Sequence, residues 1–244
     1  MGLDIDSLVR RNKGELGQLE QLLGYRFTDL KLLQLGLVHS SYAFENGTAG
    51  EDNEKLEFLG DAVLDLVIGH LLYQKYTDLR EGKLTKLRAS LVNEHHLALV
   101  AREIRLGEFL ELGKGEDASH GRQKSSILSC AFEALMGAIY VDGGYESVRQ
   151  VVEQLFLPHL QGKKDELLIA DSKSRLQEEL QEKYNEGPTY RLDNEEGPGH
   201  QKNFTISVCF RGQVLGTGSA GSKKEAAQRA AAEALVRLRE EALT

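Results

Sequence analysis

Apolar positions recur at spacings of three and four through most of the first two thirds of this chain. Leu16, Leu19, Leu22 and Leu23 form one such set, and Leu30, Leu33 and Leu37 another. The pattern continues through Leu84–Ile104 and Ile127–Val141, and predicts helix after helix from Glu15 to about Pro158. Residues 1–14 read as a loose polar tail, and Gly113–Ser125 (GKGEDASHGRQKS) as a polar loop between helices. No alternating strand pattern stands out in this part.

The period changes after Asp171. Ser172–Tyr184 is an amphipathic helix with Leu176 and Leu180 on one face. Phe204, Ile206, Val208 and Phe210 then alternate with Thr205, Ser207, Cys209 and Arg211, the mark of a half-buried antiparallel strand. Arg211-Gly212 can turn the chain into a strand at Gln213–Thr217, with Thr189–Asp193 on the other side, and Ser222–Arg239 is an Ala-rich helix. The expected organisation is a mostly α domain over 15–160, a linker over 161–170, and an α+β domain of order α-β-β-β-α over 171–240.

Composition narrows the class. Of 244 residues, 41% are hydrophobic and 28% charged, so a packed core is expected and wholesale disorder is not. No apolar run reads as long enough to span a bilayer, so no membrane partner is expected. The first residues lack a secretion signal, and two distant cysteines, Cys130 and Cys209, suit a reducing cytoplasm. The net charge of −8 argues weakly against nucleic acid. It is unevenly spread: residues 1–162 hold 17 Lys+Arg against 24 Asp+Glu, while residues 163–244 hold 13 against 14. Any RNA binding therefore relies on local patches, and the acid surplus in the first part calls for another partner, such as a divalent cation.

The acids concentrate in Asn53–Tyr73 (NEKLEFLGDAVLDLVIGHLLY). On a helix, Glu54, Glu57 and Asp61 fall within about 60° of one another, with Asp65 close to the same stripe. The remaining positions are apolar nearly all round, which is the pattern of a buried helix. Buried carboxylates are costly unless paired or bound to a cation. Gly60, at about 1 kcal/mol against helix formation relative to Ala, suggests close approach by another backbone. Spacing alone leaves a solvated acidic edge equally open. A second mostly apolar helix, Ser125–Asp142, carries Glu133 in its middle and Cys130 one turn earlier. Two such helices can meet around a hard cation, and Mg²⁺ with its preference for oxygen ligands and water fits a few carboxylates. His39, in LVHSSY, reads as a structural histidine.

These residues also carry a family resemblance. NEKLEFLGD (53–61), LTKLRASLVNE (84–94), LGKGE (112–116) and the Glu133 helix resemble the bacterial ribonuclease III family over roughly residues 15–240. DSKSRLQEEL (171–180), GPGHQKNFTISV (197–208) and GTGSAGSKKEAAQRAA (216–231) resemble the three blocks of a double-stranded-RNA-binding domain. The resemblance implies a homodimeric endoribonuclease. Each subunit would use Mg²⁺ (or Mn²⁺) to cut one strand of duplex RNA, leaving 5′-phosphates, 3′-hydroxyls and short 3′ overhangs. It implies rRNA, mRNA and other RNA processing as the setting. It assigns Glu57, Asp61 and Glu133 to metal, Asp61 and Glu133 to catalysis, and Glu54 to placing the RNA or the dimer. In the second domain it assigns Ser174, Gln177 and Glu178 to one minor groove, His200 to the next, and Lys223 and Lys224 to phosphates between them. Gly216, Gly218 and Gly221 would let the backbone approach RNA.

Two positions depart from the family pattern. Ala227 stands where many relatives have a basic or polar residue, implying a slightly poorer contact surface. Cys130 stands where the family has Asp in its S-I-L-A-D-x-x-E run. A thiol is a soft ligand, ill matched to Mg²⁺, and must deprotonate to replace the charge. Weaker Mg²⁺ affinity or slower cleavage is expected. A neutral change, a preference for a softer metal, and a duplex-RNA-binding protein with weakened catalysis are the alternatives. A small-molecule phosphohydrolase is a further rival that the acidic stripe alone allows.

Overall fold

The structure is a computed structural model that describes residues 2–198 and 202–242. The chain forms two compact units, divided between Leu160 and Gln161.

The first unit is helical: α1 (Ile5–Leu23), α2 (Leu30–Gly36), α3 (Ser40–Glu45), α4 (Glu54–Lys75), α5 (Glu81–Leu91), α6 (Glu94–Glu103), α7 (Lys114–Ala118) and the first stretch of α8 (Ser125–Tyr184). The expected polar tail is instead most of α1. Asp4 caps it by accepting from the Ser7 amide at 3.0 Å, and Leu8 and Asn12 are buried beside Leu16, Leu19 and Leu23. The polar look of this segment was misleading because Asn12 is a buried donor, bonded to Gln34 at 2.9 Å and Glu111 at 2.6 Å. The Gly113–Ser125 loop is likewise ordered. Glu45 accepts from the amides of Lys114 and Gly115 at the start of α7, and Arg122 donates to the carbonyls of Gly107 and Leu110. His39 has the structural role expected, its Nδ1 accepting from the Ser41 amide at 3.2 Å to cap α3.

The core gathers Leu64, Ile68 and Leu72 of α4, Leu87 and Leu91 of α5, and Phe132 and Phe156 of α8, each under 2% exposed. Burying each such side chain contributes about 1.5–3 kcal/mol. Two expectations need correction here. The first stretch of α8 does contain an 18-residue window apolar enough to cross a membrane, with mean hydropathy 1.3. Of that window 61% is buried inside the fold, as befits a core helix. And α4 is not buried all round: Phe58 is 81%, Leu66 59% and Tyr73 72% exposed. Its inward face is already filled by Leu56, Val63, Leu64, Val67 and Ile68, which leaves an apolar stripe outside.

In the second unit the helical stretch carrying Leu176 and Leu180 precedes β1 (Thr189–Glu196), β2 (Asn203–Phe210), β3 (Gln213–Ala220) and α9 (Lys223–Ala242). Residues 161–170, expected as a linker, are helical. The strands form an antiparallel sheet in the order β1-β2-β3. Arg211 and Gly212, with φ of 49° and 80°, make the tight turn between β2 and β3, because positive φ at both central residues matches strand twist. Leu176, Leu180, Val208, Leu215, Ala230, Ala231, Ala234 and Leu235 make the core. Gly216 and Gly218 serve that core. A Cβ on Gly216 would lie 2.5 Å from the Ala230 carbonyl, and one on Gly218 2.4 Å from that of Ala226. The sheet thus packs backbone-close on α9, whose alanines leave room for it.

Candidate metal centre and nucleic-acid face

The acid-bearing helices meet at two glycines. A Cβ on Gly60 of α4 would lie 1.8 Å from the Glu133 carbonyl oxygen, and a Cβ on Gly137 of α8 would lie 2.2 Å from that of Leu56. Neither position tolerates a side chain without separating the helices. The close approach expected from Gly60 is therefore present. Gly137, its partner, escaped the sequence reading, because only the crossing itself reveals which glycine is opposed.

Each helix displays acids just beside this contact. Glu54, Glu57, Phe58, Asp61 and Glu133 line one cleft of about 430 Å³. Glu57, Cys130 and Glu133 are half-buried, and their ligand atoms lie within 4.8 Å of one another. Glu54 and Asp61 are exposed on the cleft wall. Asp65, on the edge of the sequence stripe, points elsewhere and pairs with Arg88 at 3.5 Å.

The electrostatics follow from this crowding. Burial, then the charges of Asp61 and Glu57, push the Glu133 carboxyl up to about 7. Burial, and a hydrogen bond donated to Glu57, push the Cys130 thiol up to about 12. Among the described residues no ion pair neutralises Glu54, Glu57, Asp61 or Glu133. Like charges held together without a counter-ion are the environment that a bound cation relieves. Carboxylate oxygens from two helices fit a divalent ion, so the residues present form a possible acidic metal-binding group.

In the second unit Ser174, Gln177 and Glu178 are exposed on one face, opposite buried Leu176 and Leu180. His200 lies outside the described residues. Lys223 and Lys224 are exposed at the start of α9, where Ser222 accepts from the Glu225 amide at 3.2 Å. Lys223 is not free: it pairs with Glu195 at 3.3 Å and lies over the Phe204 ring. Lys202 reaches the same carboxylate at 2.5 Å. Glu195 as a holder of two lysines was not visible beforehand, since it depends on strand register. Ala227 is 4% exposed, in a core cluster with Phe204 and Ile206.

The two units define a class: a helical domain with an acid-lined cation cleft, joined to an α-β-β-β-α domain of the double-stranded-RNA-binding type. Residues 29–160 match the family model described as Ribonuclease-III-like, and residues 172–238 match the double-stranded RNA binding motif. A protein of Desulfotalea psychrophila named Ribonuclease 3 is 63% identical over 98% of this chain and 99% of its own length. The crystal structure of the nuclease domain of ribonuclease III from Campylobacter jejuni is 43% identical, covering 58% of this chain and 93% of that one, with a TM-score of 0.54. A second structure of that domain, with equal TM-score and identity, covers 58% and 95% and concerns flexibility in a region involved in its dimer formation. This chain belongs to the ribonuclease III family.

Proposed function

We propose that this protein is an endoribonuclease that cuts double-stranded RNA by metal-assisted phosphodiester hydrolysis, leaving 5′-phosphate and 3′-hydroxyl ends. The observation that carries the reading is the cleft where two helices, in backbone contact, hold Glu57, Asp61 and Glu133 together with no cationic partner among the described residues. In this reading the three carboxylates hold Mg²⁺, or Mn²⁺, and Glu54 lies at the edge where RNA enters. When bound, the metal supplies a nucleophilic water and stabilises the departing 3′ oxygen. The protein's own contribution is to fix carboxylates on rigid helices and to raise the proton affinity of Glu133 until a cation displaces the proton. The relation to a protein named Ribonuclease 3 at 63% identity supports this over the reading of a duplex-RNA binder alone.

The domains act in sequence order: 15–160 cuts, 161–170 connects and 171–240 grips. Ser174, Gln177, Glu178 and His200 read the shape and 2′-hydroxyls of successive minor grooves, while Lys223 and Lys224 contact phosphates. Lys223 must exchange Glu195 for phosphate to do so. Processing of rRNA, mRNA and other RNA in the cytoplasm is the setting, a compartment supported by unpaired Cys130 and Cys209. Replacing Glu133 by Ala lowers cleavage of a long RNA duplex in Mg²⁺ by about 10³-fold or more and leaves duplex binding in a gel-shift assay intact. Undiminished cleavage would remove Glu133 from the reaction.

The chain works as a homodimer in this reading. Phe58, Ala62, Leu66 and Tyr73 fall within about 80° of one another on α4, and all are exposed. Such a stripe suits a self-complementary two-fold contact. Phe58→Asp should convert the sedimenting species from dimer to monomer with helix content unchanged; a dimer that persists would move the interface elsewhere.

A further inference from the structure

The thiol of Cys130 changes what the cleft can hold. It stands on α8 one turn before Glu133, and its Sγ lies within 4.8 Å of a carboxylate oxygen of both Glu57 and Glu133. That distance puts the half-buried thiol beside the two carboxylates that line the cleft. Donors around one tetrahedral ion, with metal–sulfur near 2.3 Å and metal–oxygen near 2.1 Å, sit about 3.4–3.6 Å apart. Cys209, the second cysteine, belongs to the other unit, and among the described residues it joins no such group.

Ligand chemistry then separates the ions. Mg²⁺ demands oxygen ligands in near-octahedral geometry and makes no use of sulfur. Zn²⁺ accepts sulfur and oxygen together in a tetrahedral site. It also stands above Mn²⁺ in the general order of divalent affinity. We propose that Glu57, Cys130 and Glu133 form a mixed sulfur–oxygen site for a Zn²⁺-class ion, with the thiolate as a direct ligand, so that such an ion competes with Mg²⁺ for the cleft. On binding, the sulfur lone pair goes to the metal and the thiol proton leaves to solvent, with no change of oxidation state. This rests on the reading of the cleft as a metal centre, and it makes Cys130 a determinant of metal choice.

The test uses the full chain and Co²⁺, which takes the same ligands as Zn²⁺ and reports sulfur ligation by a charge-transfer band in the near ultraviolet. The wild-type protein should show the band, saturating near one Co²⁺ per chain, and Zn²⁺ should erase it. Cys130→Ser and Cys130→Asp should lack it, while Cys209→Ser should keep it. Cys130→Ser should also weaken Zn²⁺ binding, measured against a chelating indicator, by at least about tenfold, since it removes a direct ligand and even changes beyond the direct ligands cost 10–100-fold. Circular dichroism checks that each variant folds. No band in the wild type, a band surviving in Cys130→Ser, or a band lost in Cys209→Ser would overturn the proposal. Cleavage of an RNA duplex in Mg²⁺ with Zn²⁺ absent is run alongside. Its failure would count against the nuclease reading, whereas cleavage without a Co²⁺ band would count against the thiolate site alone.

Discussion

The acid cleft between α4 and α8 and the lysine-bearing start of α9 treat charge in opposite ways. In the cleft, four carboxylates share a small space and none is paired among the described residues. The cost appears as a proton retained on Glu133 up to about pH 7. At α9 the charges are exposed, and Lys223 and Lys202 share Glu195, a carboxylate that they hold below its usual range. One region stores repulsion that a strongly held cation relieves. The other keeps weak exposed pairs, each worth about 0–1 kcal/mol, that a phosphate can replace at little cost. A binding surface of the second kind is reversible and sensitive to salt. A site of the first kind is a demand for a cation.

The contrast can be broken most forcefully at the helix crossing. Gly60→Ala would place a methyl 1.8 Å from the Glu133 carbonyl. It should cost about 3 kcal/mol or more in urea unfolding of the metal-free chain, at the upper end of overpacking effects. An unchanged midpoint would mean that α4 and α8 can separate freely. A smaller effect concerns the stored repulsion itself. Glu133 binds its proton more tightly folded than unfolded, where its value is 4.5. Its contribution is therefore whole below about pH 4.5, falls as pH rises, and is lost above about pH 7. Glu133→Gln should thus stabilise the metal-free protein at pH 8 by about 1–2 kcal/mol, solvent screening in the open cleft included. The gain should vanish near pH 4.5, and a gain independent of pH would point to packing instead. The smallest effect lies in the lysines. Lys224→Ala should weaken duplex binding by about 1 kcal/mol and reduce the salt slope by about 1. Lys223→Ala should do less, because Glu195 must be given up first. Equal losses in a salt titration would show that the Glu195 pair is of no consequence.

How much of this was legible in the sequence differs between features. The stripe of Glu54, Glu57 and Asp61 and the lone Glu133 were readable because helical spacing maps directly onto a face. The alternation from Phe204 to Val208 announced β2 for the same reason. Features that depend on what lies opposite were hidden. Asn12 looked solvated until Gln34 and Glu111 were seen to surround it. Phe58 and Leu66 looked like core because apolar residues on a helix do not say which of two faces the rest of the fold fills. Gly216 and Gly218 looked like an RNA approach, though the backbone that comes near them is that of α9. Local periodicity reports the direction of a side chain within its own element. It is silent on the neighbour.

The paired glycines at 60 and 137 carry one more consequence. Where helices rest on each other through interlocking side chains, their separation drifts whenever a packed residue changes size. Here main chain meets main chain, so peptide dimensions alone set the gap, as a machined stop sets a caliper. Substitutions on the outer faces of either helix leave that aperture untouched. The spacing of the acids beside it follows from that contact.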